Sequence, residues 1–398
     1  MSKRQWISAA LAGMAAGTLA FLPTSAHAQR FNAVSFLGQA IIPTGTTFAG
    51  SQIGGLSGID YDAANNRYFI NSDAPTDPRF FTATLDIDGG AFTAADVTFT
   101  GVTALTGAGG TALAANTFDL EAIRYIADSN TVLIADEGNT TLGIAPSIRE
   151  FNAANGQQVR QITAPSKFDP TATTGSYFNL SFESLALTNG GGTILTGTEN
   201  ALRQDAGNAI NPSLTSQFAR LVAFNSATGA AGAEYAYQVD AVVEPPAGNL
   251  FAVQGLVELL SLGGDDYISI ERSFTVGGTS TGTGYAIRLY QFSLTGATDI
   301  SGIDPLTGTF TPVQKSLLFD LGALGIPLDN IEGITLGPTL DDGRRTLVLV
   351  ADNNFNSPLG NQFIVLAESN APEPGAGILL VLGLAGMGGI ALRRRNRK

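Results

Sequence analysis

The chain has no cysteine and a single histidine, His27, among its 398 residues. Without cysteine there is no disulfide framework, no thiolate nucleophile and no sulfur metal site. His27 lies in an N-terminal stretch expected to be cleaved off, so the working domain must do without imidazole. That excludes a Ser-His-Asp triad, a phosphohistidine and a His-ligated zinc. Lysine is nearly as scarce: between residues 29 and 371 only Lys167 and Lys315 occur. Any catalysis falls to carboxylates, Arg, Lys, Tyr, Ser or Thr, or an oxygen-ligated metal.

The two ends carry their own patterns. Lys3 and Arg4 precede an apolar stretch over 6–22 that stops at Pro23, and Ala26, His27 and Ala28 supply the small-x-small site of a signal peptidase. Residues 1–28 read as a secretory signal, with the mature chain beginning near Gln29. At the other end Pro372, Glu373 and Pro374 precede an uncharged stretch over 375–392 and a basic cluster over 393–398. At the helical rise, that stretch is just long enough to cross a bilayer. The order over 372–398 resembles the PEP-CTERM sorting signal of Gram-negative bacteria. The resemblance implies export to the cell envelope, the outer surface or the medium, with the tail removed by a dedicated membrane protease. An ordinary tail anchor would also hold the domain outside the cytoplasm.

Between these ends, residues 29–371 form one domain. Seven of the 21 Lys and Arg lie in the ends, leaving 14 against 33 Asp and Glu and a net charge near −19. Such a domain repels nucleic acid and anionic lipid and favours cations or metal-bridged substrates. It is expected to act as a monomer.

High glycine content and short β-rich runs between Asn, Asp and Gly turns predict an all-β fold, and an internal repeat sharpens it. A strand, a turn and a second strand ending in an acid recur five times, with units beginning at 57, 121, 183, 254 and 332. Turn formers fall at 62–66, 127–130, 189–192, 263–266 and 341–343. Two further strand-like runs follow most units. Four strands per unit predict a single β-propeller of five blades, or six if the insertion 273–330 holds a degenerate blade. The last unit is one strand short, and the run 31–36 is expected to complete it and close the ring.

In an antiparallel hairpin the start of the first strand and the end of the second share an edge. If the first strand of each unit is innermost, the acids at those positions converge on one mouth of the central channel. Asp73, Glu121, Asp136, Glu137, Glu199, Glu271 and Asp352 are read as metal ligands and Glu183 and Glu332 as the groups that act on a water. Arg272 is read as an anion clamp; Arg124 and Arg79 stand near the same ends, and Ser57 and Gln254 occupy the equivalent places in their units. Oxygen-only ligands favour Ca²⁺ over Mg²⁺ or Mn²⁺. The plainer alternative is that these acids are solvated loop residues or turn caps. Asp86, Asp88 and Gly89 lack the rest of a calcium loop and read as a hairpin.

Residues 54–60, 119–123, 135–137, 182–185, 198–200, 270–272, 330–334 and 351–355 together resemble the family described as having esterase-like activity of phytase, related in architecture to the alkaline β-propeller phytases. The resemblance spans nearly all of 33–368 and implies a propeller with calcium-dependent hydrolysis of phosphoesters or esters. The competing reading is a non-catalytic, surface-displayed propeller that binds extracellular polysaccharide or another exported protein.

Overall fold

The structure, a computed structural model, describes residues 30–369. The expected signal over 1–28 and tail over 372–398 lie outside the described residues. Among the described residues no helix is long and apolar enough to cross a membrane.

The chain opens with β1 (Val34–Ile42) and a small hairpin, β2 (Thr47–Phe48) and β3 (Ser51–Gln52). Four antiparallel sheets follow in sequence. Blade one is β4 (Gly58–Asp62), β5 (Arg67–Ser72), β6 (Arg79–Leu85) and β7 (Val97–Ala104). Blade two is β8 (Leu120–Ile126), β9 (Thr131–Asp136), β10 (Ser147–Asn152) and β11 (Gln158–Thr163). Blade three is β12 (Phe182–Thr188), β13 (Thr193–Thr198), β14 (Gln217–Asn225) and β15 (Ala231–Val239). Blade four is β16 (Ala252–Gly263), β17 (Asp266–Thr275), β18 (Tyr285–Ser293) and β19 (Gln314–Asp320). Blade five takes β20 (Asn330–Leu336), β21 (Thr346–Asp352) and β22 (Asn361–Glu368), and its outer strand is β1.

The fold is therefore a five-bladed β-propeller, and the N-terminal strand closes it. That strand runs over Val34–Ile42, a few residues later than the run 31–36 that predicted it. The stretch 273–330 contributes β18 and β19 to blade four and holds no sixth blade. The first strands β4, β8, β12, β16 and β20 touch in a ring, so they are innermost.

Alternation within each strand explains why the middle strands read as continuous apolar runs. Each blade is covered on both faces, so both sets of alternating side chains are buried. In β21, Leu347, Leu349 and Ala351 pack toward blade four, while Val348 and Val350 pack toward blade one. Five such clusters fill the five gaps between blades. Near the axis the backbones approach closely: a Cβ on Gly58 would meet the Ile123 nitrogen at 2.7 Å, so only glycine fits there.

Below the mouth, Arg124 on β8 spans the axis. Its guanidinium donates to the carbonyls of Ile59 at 3.0 Å, Ile123 at 2.6 Å and Leu259 at 2.5 Å, and lies 3.1 Å from Glu258. Glu258 also accepts from the Leu185 and Leu259 amides. One buried ion pair thus ties four blades together, and Arg124 is committed to structure rather than to an anion at the mouth. Arg124→Met would leave Glu258 buried without a cation and should lower unfolding free energy by roughly 3–5 kcal/mol in denaturant titrations. Adding Glu258→Leu should recover much of that loss. A single variant as stable as the wild type would show the pair to be idle.

Candidate acidic centre

The channel mouth is built by a local irregularity that recurs in the inner strands. The pairing of first and second strands skips at Glu121 and Ala122 in blade two, at Glu183 in blade three and at Glu332 in blade five. A bulge of this kind leaves the extra residue out of the ladder and re-aims its side chain. Here it brings three glutamates from three blades together, with carboxylate oxygens within 4.8 Å of one another. Two further groups share members with this triad: Asp119, Glu121 and Glu137, and Glu137, Glu183 and Glu199.

The register defines the outer members of the ring. Just before each bulge, Leu120 pairs with Asp136, Phe182 with Thr198 and Ile331 with Ala351. The next residue on the second strand is Glu137, Glu199 or Asp352, and these are the ring acids. In blade four the skip falls at Val257 and Leu256 pairs with Glu271, so the equivalent position is Arg272. An arginine stands where the other blades place a carboxylate. Its Nη2 lies 3.0 Å from Glu199, 3.2 Å from Glu332 and 3.9 Å from Glu183. Arg272 is therefore the internal counter-ion of the acids through Nη2, while its buried Nε has no hydrogen-bond partner.

Two predicted ligands are used elsewhere. Asp136 faces away from the axis, where it accepts from Arg149 at 2.6 Å, Ser147 at 3.1 Å and the amides of Asp119 and Gly138. Glu271 lies between blades three and four, bound by Tyr237, Gln254 and Lys315. Gln254 goes with it. Arg79 is held by Asp77 and the Gln52 carbonyl. Asp73 and Asp352 do line the mouth, as do Glu121, Glu183, Glu332 and Arg272. Sequence reasoning missed three further charged groups lining the same cavity, Asp119, Asp329 and Arg203. Asp119 stands two residues before a bulge, where the other blades carry Gly55, Ser181, Gly255 and Asn330, so no repeat could reveal it.

The mouth opens into a cavity of about 1710 Å³. The acids at and beneath its floor are buried: Glu183 and Glu137 are each 3% exposed and Glu199 is fully buried. Backbone contacts hold these groups in place. Ser181 donates its amide to Glu137, Glu199 donates its own to the Ser181 carbonyl at 2.6 Å, and the Leu256 amide reaches the Glu199 carbonyl at 2.8 Å. A Cβ on Gly255 would overlap the Glu199 carboxylate, so glycine there leaves room for it. Asn330 donates to Glu332 at 2.8 Å.

Burial pushes these carboxyls up, and like charge adds to it. Glu121, Glu137 and Glu183 lie well above the ordinary range, raised by burial and then by neighbouring carboxylates. Burial raises Glu332 to about 8 despite Arg272, Asp119 to about 7 with help from Asp136, and Asp352 to about 6. Protonation or a cation can relieve this crowding. Two buried oxygens, Glu183 Oε2 and Glu199 Oε2, have no hydrogen-bond partner. Ligands of one Ca²⁺ at about 2.4 Å lie within about 4.8 Å of one another, and the triad meets that bound. The donor set fits an oxygen-seeking divalent ion.

A stability profile follows. A carboxyl whose folded pKa is raised keeps its proton in the folded state after the unfolded chain has lost it, so stability falls as pH rises through that interval. For Glu332 the interval runs from the ordinary range near about 4.3 to about 8. In chelator, thermal stability should decline between about pH 5 and pH 8, and Glu332→Gln should flatten the decline. A wild-type profile that rises with pH across this interval would contradict the raised values.

Among curated proteins, no sequence matches the chain. Solved structures similar to it include the endo-arabinase from Bacteroides thetaiotaomicron, 13% identical with a TM-score of 0.44, covering 85% of this chain and 99% of that one. A thermostable family-43 glycoside hydrolase is 13% identical with a TM-score of 0.43, covering 84% and 99%. The periplasmic gluconolactonase of Pseudomonas aeruginosa is 13% identical with a TM-score of 0.33, covering 80% and 90%. Over residues 51–355 the chain matches the model of the Phytase-like family, described as esterase-like activity of phytase. The bulged glutamates and ring acids all lie within that span, and the chain belongs to this family.

Proposed function

We propose that the protein is a calcium-dependent hydrolase of phosphoesters or carboxylic esters, acting outside the cytoplasm of a Gram-negative cell. The observation that carries this reading is the triad of Glu121, Glu183 and Glu332, gathered from three blades with buried oxygens left unbonded beside it. Those three, with Glu137, Glu199 and Asp119, would hold the ion. When bound, it would supply positive charge to offset the carboxylates and to polarise an ester oxygen.

The chain's own groups do the rest. Arg272 fixes Glu199 and Glu332 from one side, and Asn330 orients Glu332 from another. Glu183 Oε2, buried and without a hydrogen bond, can accept the proton of an attacking water. The water oxygen then bonds to phosphorus or to the acyl carbon, the ester bond breaks, and the alcohol leaves with the proton that Glu183 took from the water. No step calls for an imidazole, which residues 29–371 lack. Phe178 and Phe251, each 60% exposed beside the mouth, favour as a second reading a non-catalytic propeller that binds extracellular polysaccharide or another exported protein.

Purified protein should hydrolyse para-nitrophenyl phosphate or a para-nitrophenyl ester with added Ca²⁺ and lose that activity in chelator. Glu183→Gln should lower kcat by roughly 100-fold or more with a smaller effect on KM. Ca²⁺ should also raise the melting temperature of the wild type and do so less in the variant. Absence of cation-stimulated turnover on both ester classes would remove the hydrolase reading and leave the binding one.

A further inference from the structure

The walls of the cavity differ from its floor. Above the acids, an aromatic row runs outward along one side. Tyr285 lines the cavity together with Arg272 and Glu332. Its ring stands 4.5 Å from Phe274, and Phe274 stands 6.4 Å from Phe251 at the rim. Phe251 is 60% exposed, and Leu250 beside it is 47% exposed. All four line the same cavity as the acids. Phe274 also packs on the cluster of Tyr177, Leu180 and Val253, which lines the same cavity.

The charges on the lining are as uneven. Seven carboxylates face the cavity against two arginines, Arg203 and Arg272, and Arg272 is already shared among glutamates. Among the described residues Arg203 makes no ion pair. Its guanidinium stacks 4.4 Å from the centre of the Tyr177 ring, and its Nε is buried without a hydrogen-bond partner. A stacked guanidinium keeps its in-plane donors available for an oxyanion.

We infer that the site takes esters with one apolar arm, an aryl or acyl group laid along Tyr285, Phe274 and Phe251, and one anionic or polarised end held by Arg203. This inference rests on the hydrolase reading above and narrows its substrate class. The protein's own charges suit polyphosphorylated molecules poorly, because Arg203 is the one cavity arginine without an ion pair among seven lining carboxylates. An apolar arm gains from leaving water against the aromatic row without meeting the acids.

Binding and turnover test it separately. By calorimetry with Ca²⁺ present, hexylphosphonate should bind at least tenfold more tightly than methylphosphonate. Phe251→Ser should shrink that ratio, while Arg203→Gln should weaken both ligands and Arg203→Lys restore part of the loss. In turnover, kcat/KM on para-nitrophenyl esters should climb at least tenfold from acetate to hexanoate. Equal affinity for the two phosphonates, or tighter binding of inositol hexakisphosphate than of hexylphosphonate, would overturn the inference. A flat chain-length profile in an enzyme that does turn over would also overturn it and leave the hydrolase reading intact. Selective hexylphosphonate binding with no turnover of any ester would support the apolar track and defeat the hydrolase reading instead.

Discussion

The antiparallel pairing of Val34–Ile42 with Asn361–Glu368 joins the two ends of the described chain, and the geometry of the mouth depends on it. The triad needs Glu332 from blade five beside Glu121 and Glu183 from blades two and three. Blade five has only three strands of its own until β1 completes it. The apolar gap between blades five and one is filled partly by Ala40 and Ile42 of that same strand. Closing the ring and assembling the acids are one event, because each inner strand is positioned by neighbours on both sides.

The second constraint is charge. Buried carboxylates that meet at an axis raise each other's energy, and the fold tolerates them in three ways. Several hold their protons, as the raised values of Glu332 and Asp119 imply. Backbone amides serve Glu137 and Asp352. Arg272, at the position where the other blades carry an acid, breaks the symmetry of the ring and sets one side of it apart. The unbonded oxygens of Glu183, Glu199, Asp73 and Asp329 remain as charge that the protein's own hydrogen bonds do not satisfy.

Much of this was legible before the fold was known, because a propeller repeats its sequence with its geometry. The recurring strand, turn and acid marked five blades, and the missing strand of the last unit pointed to the N-terminus. What failed was register. Asp136 and Glu137 are adjacent acids on alternating faces, and only pairing shows that Glu137 belongs to the ring while Asp136 turns to Arg149. In blade four the bulge carries Val257 where a glutamate stands elsewhere, so the pattern matched Gln254 and Glu271, neither of which is in the ring. Arg124 and Arg203 sit at positions with no repeat. Their roles, one across the axis and one on the wall, come from contacts between residues far apart in the chain.

Arg124 has a consequence for traffic. By bonding to blades one and four from blade two, it bars the axis just beneath the acids. Glu121, Glu183 and Glu332 are then reached from the side of the large cavity that they line. On the proposed hydrolase reading, a molecule that had reacted would stand in the path of the next, and occupancy by the departing species would be a brake on throughput that a through-channel would not impose.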